Sequence, residues 1–325
     1  MDTVLVTGGA GYVGSHTCKQ LAASGYRPLV YDNLSEGHAE FVKWGDLIEG
    51  DIADTDKLLE VFQGHKPSAV IHFAASAYVG ESMRNPQAYY DNNVGGSLSL
   101  LTAMREGGCS QIVFSSTCAV YGVPSSLPIS IDAEPNPISP YGRSKLMVEH
   151  MLRDVAAVHG IRSLCLRYFN AAGADGEGEV GERHLPETHL IPNAINAALK
   201  QQEPLMLFGD DYPTADGTCV RDYVHVTDLA AGHVAALDYL NQHSGHNIFN
   251  LGAGNGVSIK QVIAEIEYQL GVTIPVEVQA RRAGDPAELT ADIAHTEKEL
   301  GWRPEHSTLK ELIGSAIQWA KSELN

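Results

Sequence analysis

Thr3-Val4-Leu5-Val6-Thr7-Gly8-Gly9-Ala10-Gly11-Tyr12-Val13-Gly14 is the stretch on which the fold turns. Its first five residues are apolar or β-branched and read as a short buried parallel strand. A glycine-rich turn follows, and then a helix expected from Ser15 to about Ser24. Strand, glycine turn and helix in that order are the context a dinucleotide fingerprint requires. Gly8 suits the tight turn, Gly11 the approach of a pyrophosphate to the backbone, and Gly14 the close packing of helix on strand. The helix N-terminus offers N–H groups and the positive end of its dipole to phosphates.

Working outward, the next strand, Pro28-Leu29-Val30-Tyr31, ends at Asp32, about eighteen residues after Gly14. A carboxylate there accepts both ribose hydroxyls of an adenosine and repels a 2′-phosphate, so the expected cofactor is NAD rather than NADP. The plainer reading of Asp32, a cap or turn residue, fits the spacing less well. Leu47 to Ile52 ends another strand and sets Asp51 where an adenine amino group can be read. Ala69 to Ala75 is a buried strand closing on Ala74 and Ala75, small enough to let the backbone come near the cofactor. His72, inside that apolar run, reads as a satisfied core histidine rather than a catalyst. Tyr89 to Val94 opens a long helix expected to run through Met104, in which Asn92 suits either the sheet or the cofactor ribose.

Gln111 to Thr117 is a buried strand ending in three hydroxyl residues. Ligands bind outside the carboxyl ends of parallel strands, which puts Thr117 in the cleft. Ser139-Pro140-Tyr141-Gly142-Arg143-Ser144-Lys145 then starts a helix, with Ser139 as N-cap and Pro140 in the first turn. Residues four apart share a helix face, so the Tyr141 phenol and the Lys145 ammonium point into one space. A free tyrosine ionises near pH ~10; a neighbouring positive charge favours the phenolate. Alone, Tyr-x-x-x-Lys is commonplace. With Thr117 and the glycine fingerprint it becomes a constellation: Thr117 to hydrogen-bond a substrate oxygen, Tyr141 to take its proton, Lys145 to tune the tyrosine and hold a nicotinamide ribose.

The 325 residues carry a formal charge of −18, which argues against nucleic acid or an anionic membrane as partner. A phosphate ligand would need local arginines or helix ends. The five cysteines form no Cys-x-x-Cys, which fits a reducing cytoplasm and free thiols. No signal pattern precedes the strand at Thr3, and no apolar run approaches ~20 residues. The fourteen histidines are scattered; His184 and His189 come nearest to a pair, but their spacing does not suit one helix face, and no metal is expected.

Those motifs, with Asp32-Asn33-Leu34, Tyr89-Tyr90-Asp91-Asn92-Asn93-Val94, Val120-Tyr121-Gly122 and Leu166-Arg167-Tyr168-Phe169-Asn170, resemble the UDP-glucose 4-epimerase family of the extended short-chain dehydrogenase/reductases over nearly the whole chain. The resemblance implies an α/β fold: a Rossmann-type doubly wound parallel sheet with a smaller C-terminal α/β substrate-binding lobe. It divides the chain into an NAD-binding domain carrying the catalytic residues (1–170) and a mainly UDP-sugar-binding lobe (171–325), with segments of about 210–250 returning to the first. On the cofactor side it adds Tyr12, Val13, Asn33, Leu34, Ile52, Phe73 and Phe169, and keeps Asn92. On the substrate side it implies Asn170 on a phosphate, Leu190 and Met206-Leu207-Phe208 flanking uridine, Arg221 beside Tyr223, Arg282 on phosphate and Asp285 on a ribose hydroxyl. His189 stands where well-known bacterial members carry asparagine. Leu289 falls at the sugar-pocket wall, where a tyrosine goes with rejection of N-acetyl sugars. For Arg221 taken alone, a surface ion pair with Asp222 is the plainer reading. A homodimer through the 92–104 and 141–158 helices is also implied.

The implied reaction is inversion at C4 of a UDP-hexose, interconverting UDP-galactose and UDP-glucose through a 4-keto sugar with tightly bound NAD. Other UDP-sugars, N-acetylated, pentose or uronate, are the alternative substrates. A 4,6-dehydratase needs an acid and a base after the strand-end hydroxyl, where this chain has Cys118 and Ala119. A non-catalytic NAD-sensing regulator of the same fold would be free to lose the tyrosine or lysine, and both are present.

Overall fold

The structure is a computed structural model describing residues 1–200, 203–282 and 285–324, without the side chain of Lys200. The apolar runs of the N-terminal part form one parallel sheet. It contains β1 (Thr3–Thr7), β2 (Arg27–Asp32), β3 (Asp46–Glu49), β4 (Ala69–His72), β5 (Gln111–Thr117), β6 (Arg162–Tyr168) and the late β10 (His246–Leu251), in the order β10-β6-β5-β4-β1-β2-β3. Side chains alternate across a strand. Val4, Val6 and Val30 therefore enter one core with Leu21, Leu229 and Leu237, while Leu5 and Leu29 enter another with Leu58, Phe62, Leu100 and Leu152. Two apolar faces require helices on both. α1 (Tyr12–Ala23) and α8 (Val226–Gln242) cover the first; α2 (Thr55–His65), α5 (Gly96–Gly107) and α6 (Pro140–His159) cover the second.

Helix α1 begins at Tyr12, three residues before the sequence places it, because the chain is already helical after the N-cap Gly11. The helix expected from Tyr89 to Met104 is helical throughout, but not α-helical throughout. Short turns α3 (Val79–Ser82) and α4 (Pro86–Tyr89) lead into a π-helical turn, Tyr90–Gly95, and only then into α5. That bulge lies beside the cleft, as such turns often do.

After β6 the chain builds a further core from α7 (Leu190–Lys200), α9 (Ile259–Leu270) and α11 (Leu309–Ser322), with Leu205 and Tyr223 between them. Its strands are short: β7 (Asn170–Ala172) and β11 (Gly256–Ser258) pair with β9 (Val220–His225), β13 (Glu288–Leu289) joins them, and β8 (Leu205–Phe208) pairs with β12 (Val276–Gln279). β9 runs directly into α8, which packs on α1, and β10 then edges the large sheet before α9 and α10 (Ala294–Leu300) follow.

Candidate active site

The cofactor-side residues gather at the carboxyl ends of β1, β2 and β4. Gly8 turns with φ +74°, and a Cβ there would lie 2.6 Å from the Ala74 nitrogen. A Cβ on Gly14 would fall 2.2 Å from the Gly8 carbonyl. The glycines thus form a cradle that any side chain would fill. The first intrahelical bond of α1 runs from Ser15 N–H to Gly11 at 2.9 Å, so the N–H groups of Tyr12, Val13 and Gly14 lie in the open first turn, directed outward as an anion requires. Asp32 is buried at the end of β2, its carboxylate accepting from Ala10 N–H (3.0 Å) and Leu34 N–H (2.9 Å). Those bonds fix the carboxylate and leave it lone pairs for ribose hydroxyls. Leu34 itself sits at φ 58°, a strained setting for a side chain. Asn33 donates to Asp51 at 2.9 Å, joining the two adenosine-side positions. These residues fit a bound NAD.

Other cofactor-side positions present backbone rather than side chain. Ile52 is in the core against Gly96, and Phe169 packs with Cys118, Val120 and Tyr121. Phe73 lies 4.6 Å from the His233 ring, while Phe73 and Ala74 donate their N–H groups to Thr7, extending β4 towards Ala75. Asn92 reaches Ser76 Oγ at 3.2 Å. Its neighbour Asn93, which sequence reasoning passed over, does more. Buried in the π-turn, Asn93 accepts from Ser76 N–H (2.8 Å) and donates to Ser76 C=O and to Ser144 Oγ, both at 3.0 Å. It clamps the end of β4 to α6. His72 is held between Thr7 Oγ1 (2.7 Å) and Ser97 Oγ (2.9 Å) and kept neutral by burial, its pKa lowered to about 3.

Thr117, Tyr141 and Lys145 meet where β5 ends and α6 begins. Ser139 caps that helix by accepting from Gly142 N–H at 3.1 Å, with Pro140 in the first turn. Lys145 is only 3% exposed; its ammonium donates to the Ser115 carbonyl at 2.9 Å and lies 6.0 Å from the centre of the Tyr141 ring. Burial brings the Lys145 pKa down to about 7. Burial also pushes Tyr141 well above its ordinary value, followed by the neighbouring Tyr168, against a hydrogen bond with Thr117 that favours the phenolate. Beside the Lys145 charge expected from the helical spacing, Thr117 thus also favours the phenolate, and neither overcomes burial. The reason is that desolvation acts on both partners of the pair and the ammonium is turned towards Ser115.

The second lobe opens a cavity of ≈ 540 Å³ lined by Glu187, Leu190, Asn193, Met206, Phe208 and Arg282, with Leu207 and Asp285 at its wall. Arg282 stacks at 4.0 Å over the Phe208 ring. Arg221 does not pair with Asp222. It pairs with Asp285, because Asp222 is wholly buried and accepts from the N–H groups of Ala253 (2.6 Å), Gly254 (3.0 Å) and Ala291 (3.0 Å). Leu289 lies opposite Arg221 in the β13–β9 ladder and packs against the group containing Phe169. Asn170 pairs with Tyr223, whose ring is in the core of the lobe rather than on the cavity wall. Ala283 and Gly284, between Arg282 and Asp285, lie outside the described residues.

His184 and His189 are closer than their spacing suggests. Residues 182–189 are irregular chain rather than helix, and they fold so that the two rings lie 5.1 Å apart beside Glu182 and Glu187. Burial opposes protonation of both rings, but the negative charge of the neighbouring Glu182 and Glu187 carboxylates outweighs it and raises them, His184 to about 9 and His189 to about 10.

Residues 4–252 match the NAD dependent epimerase/dehydratase family. The chain belongs to that family. Over 318 residues it is 52% identical to the UDP-glucose 4-epimerase of Rhizobium meliloti (strain 1021), covering 98% of this chain and 97% of that one. Among solved structures, the UDP-glucose 4-epimerase of Brucella ovis in complex with NAD superposes with a TM-score of 0.96 at 53% identity, covering 98% of this chain and 99% of the other. The enzyme of Bifidobacterium longum in complex with NAD+ and UDP gives 0.95 at 39% identity over 99% of each. This NAD-dependent epimerase accordingly takes NAD as its cofactor, and its fold is the Rossmann-type α/β fold of its family. Among the described residues no helix is long and apolar enough to cross a membrane.

Proposed function

We propose that this chain is a UDP-glucose 4-epimerase, inverting C4 of UDP-galactose and UDP-glucose. The observation that carries the reading is the meeting of Thr117, Tyr141 and Lys145 at the carboxyl end of the sheet that also holds the glycine cradle, with a cavity of ≈ 540 Å³ in the second lobe. Tyr141 is the proton acceptor for the 4-hydroxyl, Thr117 holds that oxygen in line, and Lys145 places positive charge behind the phenol. Bound NAD supplies a hydride acceptor, so that C4 passes through a ketone. Arg221 and Arg282 bind the diphosphate, with Asn170 beside them; Leu190, Met206 and Phe208 enclose the uracil; Asp285 accepts from the ribose. Lys145 is buried and Tyr141 partly so, which limits the water that reaches the proton transfer.

Cys118 follows Thr117, and burial lifts its thiol to about 12, so it supplies neither the acid nor the base of a dehydratase. Leu289, intermediate in bulk at the sugar wall, makes N-acetylated and pentose UDP-sugars the second reading. The enzyme acts in the cytoplasm, in keeping with its free cysteines. It pairs with a second copy through α5 and α6, where Leu98, Met147 and Val158 are exposed. The test is to incubate purified protein with UDP-galactose and no added cofactor. UDP-glucose as product supports the assignment; no product even with added NAD overturns it.

A further inference from the structure

Glu182, His184, Glu187 and His189 form a group that proton transfer at C4 does not use. Their donor atoms all lie within 4.8 Å of one another. The His184 Nδ1 atom is buried and makes no hydrogen bond. It stands 3.4 Å from a Glu182 oxygen and 3.5 Å from a Glu187 oxygen, too far for good hydrogen bonds. Yet these are the separations of neighbouring ligands on one metal ion: bonds of about 2.0–2.2 Å arranged tetrahedrally put adjacent donors ~3.3–3.6 Å apart.

We propose that Glu182, His184, Glu187 and His189 bind a divalent transition-metal ion, zinc being the best match to two imidazoles and two carboxylates. His189 Nδ1, at 2.8 and 2.9 Å from the same carboxylates, has to withdraw by ~0.5 Å to join the tetrahedron. It is also the accessible member, 48% exposed against 9%, 14% and 17% for Glu182, Glu187 and His184, and so marks the side from which an ion enters. The rings of Tyr12 and Tyr78 wall the inner side, 6.5 Å and 5.9 Å from His184. Two carboxylates neutralise the charge of the ion. With four protein ligands and no open position the ion is structural. It fixes the loop that carries Glu187 and Thr188 to the cavity wall and leads into α7. The competing state is two imidazolium–carboxylate pairs built from the same groups.

The test uses purified enzyme with its own NAD, stripped with chelator and equilibrated with micromolar zinc sulfate. About one zinc per chain, together with a raised unfolding temperature, is expected in the wild type. His184→Gln and Glu182→Gln, confirmed folded by circular dichroism, should each weaken binding by roughly tenfold or more. Equal uptake by wild type and both variants would place the metal on the other histidines and overturn the proposal, as would no stoichiometric uptake at all. Cobalt(II) gives a check that needs no variant: intense visible bands support the tetrahedral site, and the weak spectrum of the hydrated ion overturns it.

Discussion

Lys145 is a cation held in surroundings that oppose its charge. Burial brings its pKa to about 7 and raises that of Tyr141, so the phenolate that accepts the 4-hydroxyl proton depends on the Thr117 hydrogen bond and on the charge of protonated Lys145. The phenol is therefore the group whose loss matters most. Tyr141→Phe should lower kcat by about 10²–10⁴-fold, with Thr117→Ala also removing most turnover, and both should retain NAD. Stopped assays with UDP-galactose and release of NAD on denaturation check this, and unchanged rates in both variants would refute the roles. Asp32→Ala removes the acceptor fixed by Ala10 and Leu34 and should leave purified protein with much less NAD. Leu289→Tyr should cut turnover of UDP-N-acetylglucosamine relative to UDP-galactose by roughly tenfold or more; an unchanged ratio would remove Leu289 from the sugar wall. The types of these residues were legible because strand ends and helix starts are local. Their protonation was not, because desolvation depends on what the rest of the chain packs around them.

Helix α6 shows the same division at the next scale. Its start is local, set by Ser139, Pro140 and the bond to Gly142. Its attachment is not. Glu149 is fully buried and forms a two-pronged ion pair with Arg167 of β6, at 3.0 and 2.6 Å, while also accepting from Ser116 Oγ at 2.5 Å. In the sequence Glu149 looks like an ordinary helix surface residue; only the placement of β6 beneath α6 reveals its partner. Glu149→Ala should destabilise the protein by about 3–5 kcal/mol, because it leaves a buried guanidinium uncompensated. Glu149→Leu combined with Arg167→Met should cost less than either single change. Urea denaturation of the three variants decides it. Asn93 belongs to this scale too: a π-turn inside an apparently continuous helix turns its amide towards Ser76 and Ser144, which no helical periodicity announces.

The whole molecule carries a pH dependence in its interior. His72, His233 and His246 are held neutral by burial, with pKa values lowered to about 3, 4 and 4. Once unfolded they bind protons near the ordinary 6.5, so between about 6.5 and 4 the unfolded chain holds more protons and stability falls as pH falls. Each ring contributes up to ~1.4 kcal/mol per pH unit in that window. Asp222, pushed up to about 6 by burial, and Asp32, also raised by burial, work in the opposite direction, but His16 and His225, each lowered to about 4 by burial, add to the three rings. The urea midpoint should drop steeply from pH 6.5 to 4.5; a flat profile would mean that these rings are not neutral in the fold.

The sequence by itself determined the parallel sheet, the glycine cradle, the choice of NAD and the Thr117–Tyr141–Lys145 constellation. Each rests on neighbours in the chain: alternating apolar residues, a turn that only glycine permits, two side chains one helical turn apart. The tertiary structure alone decided that Arg221 pairs with Asp285, that Asp222 is buried under three backbone N–H groups, that Glu149 meets Arg167, and that His184 and His189 converge. Most of these contacts join segments far apart in sequence, and the last arises within irregular chain. A partner reached by the path of the chain through space leaves no period or spacing in the chain itself.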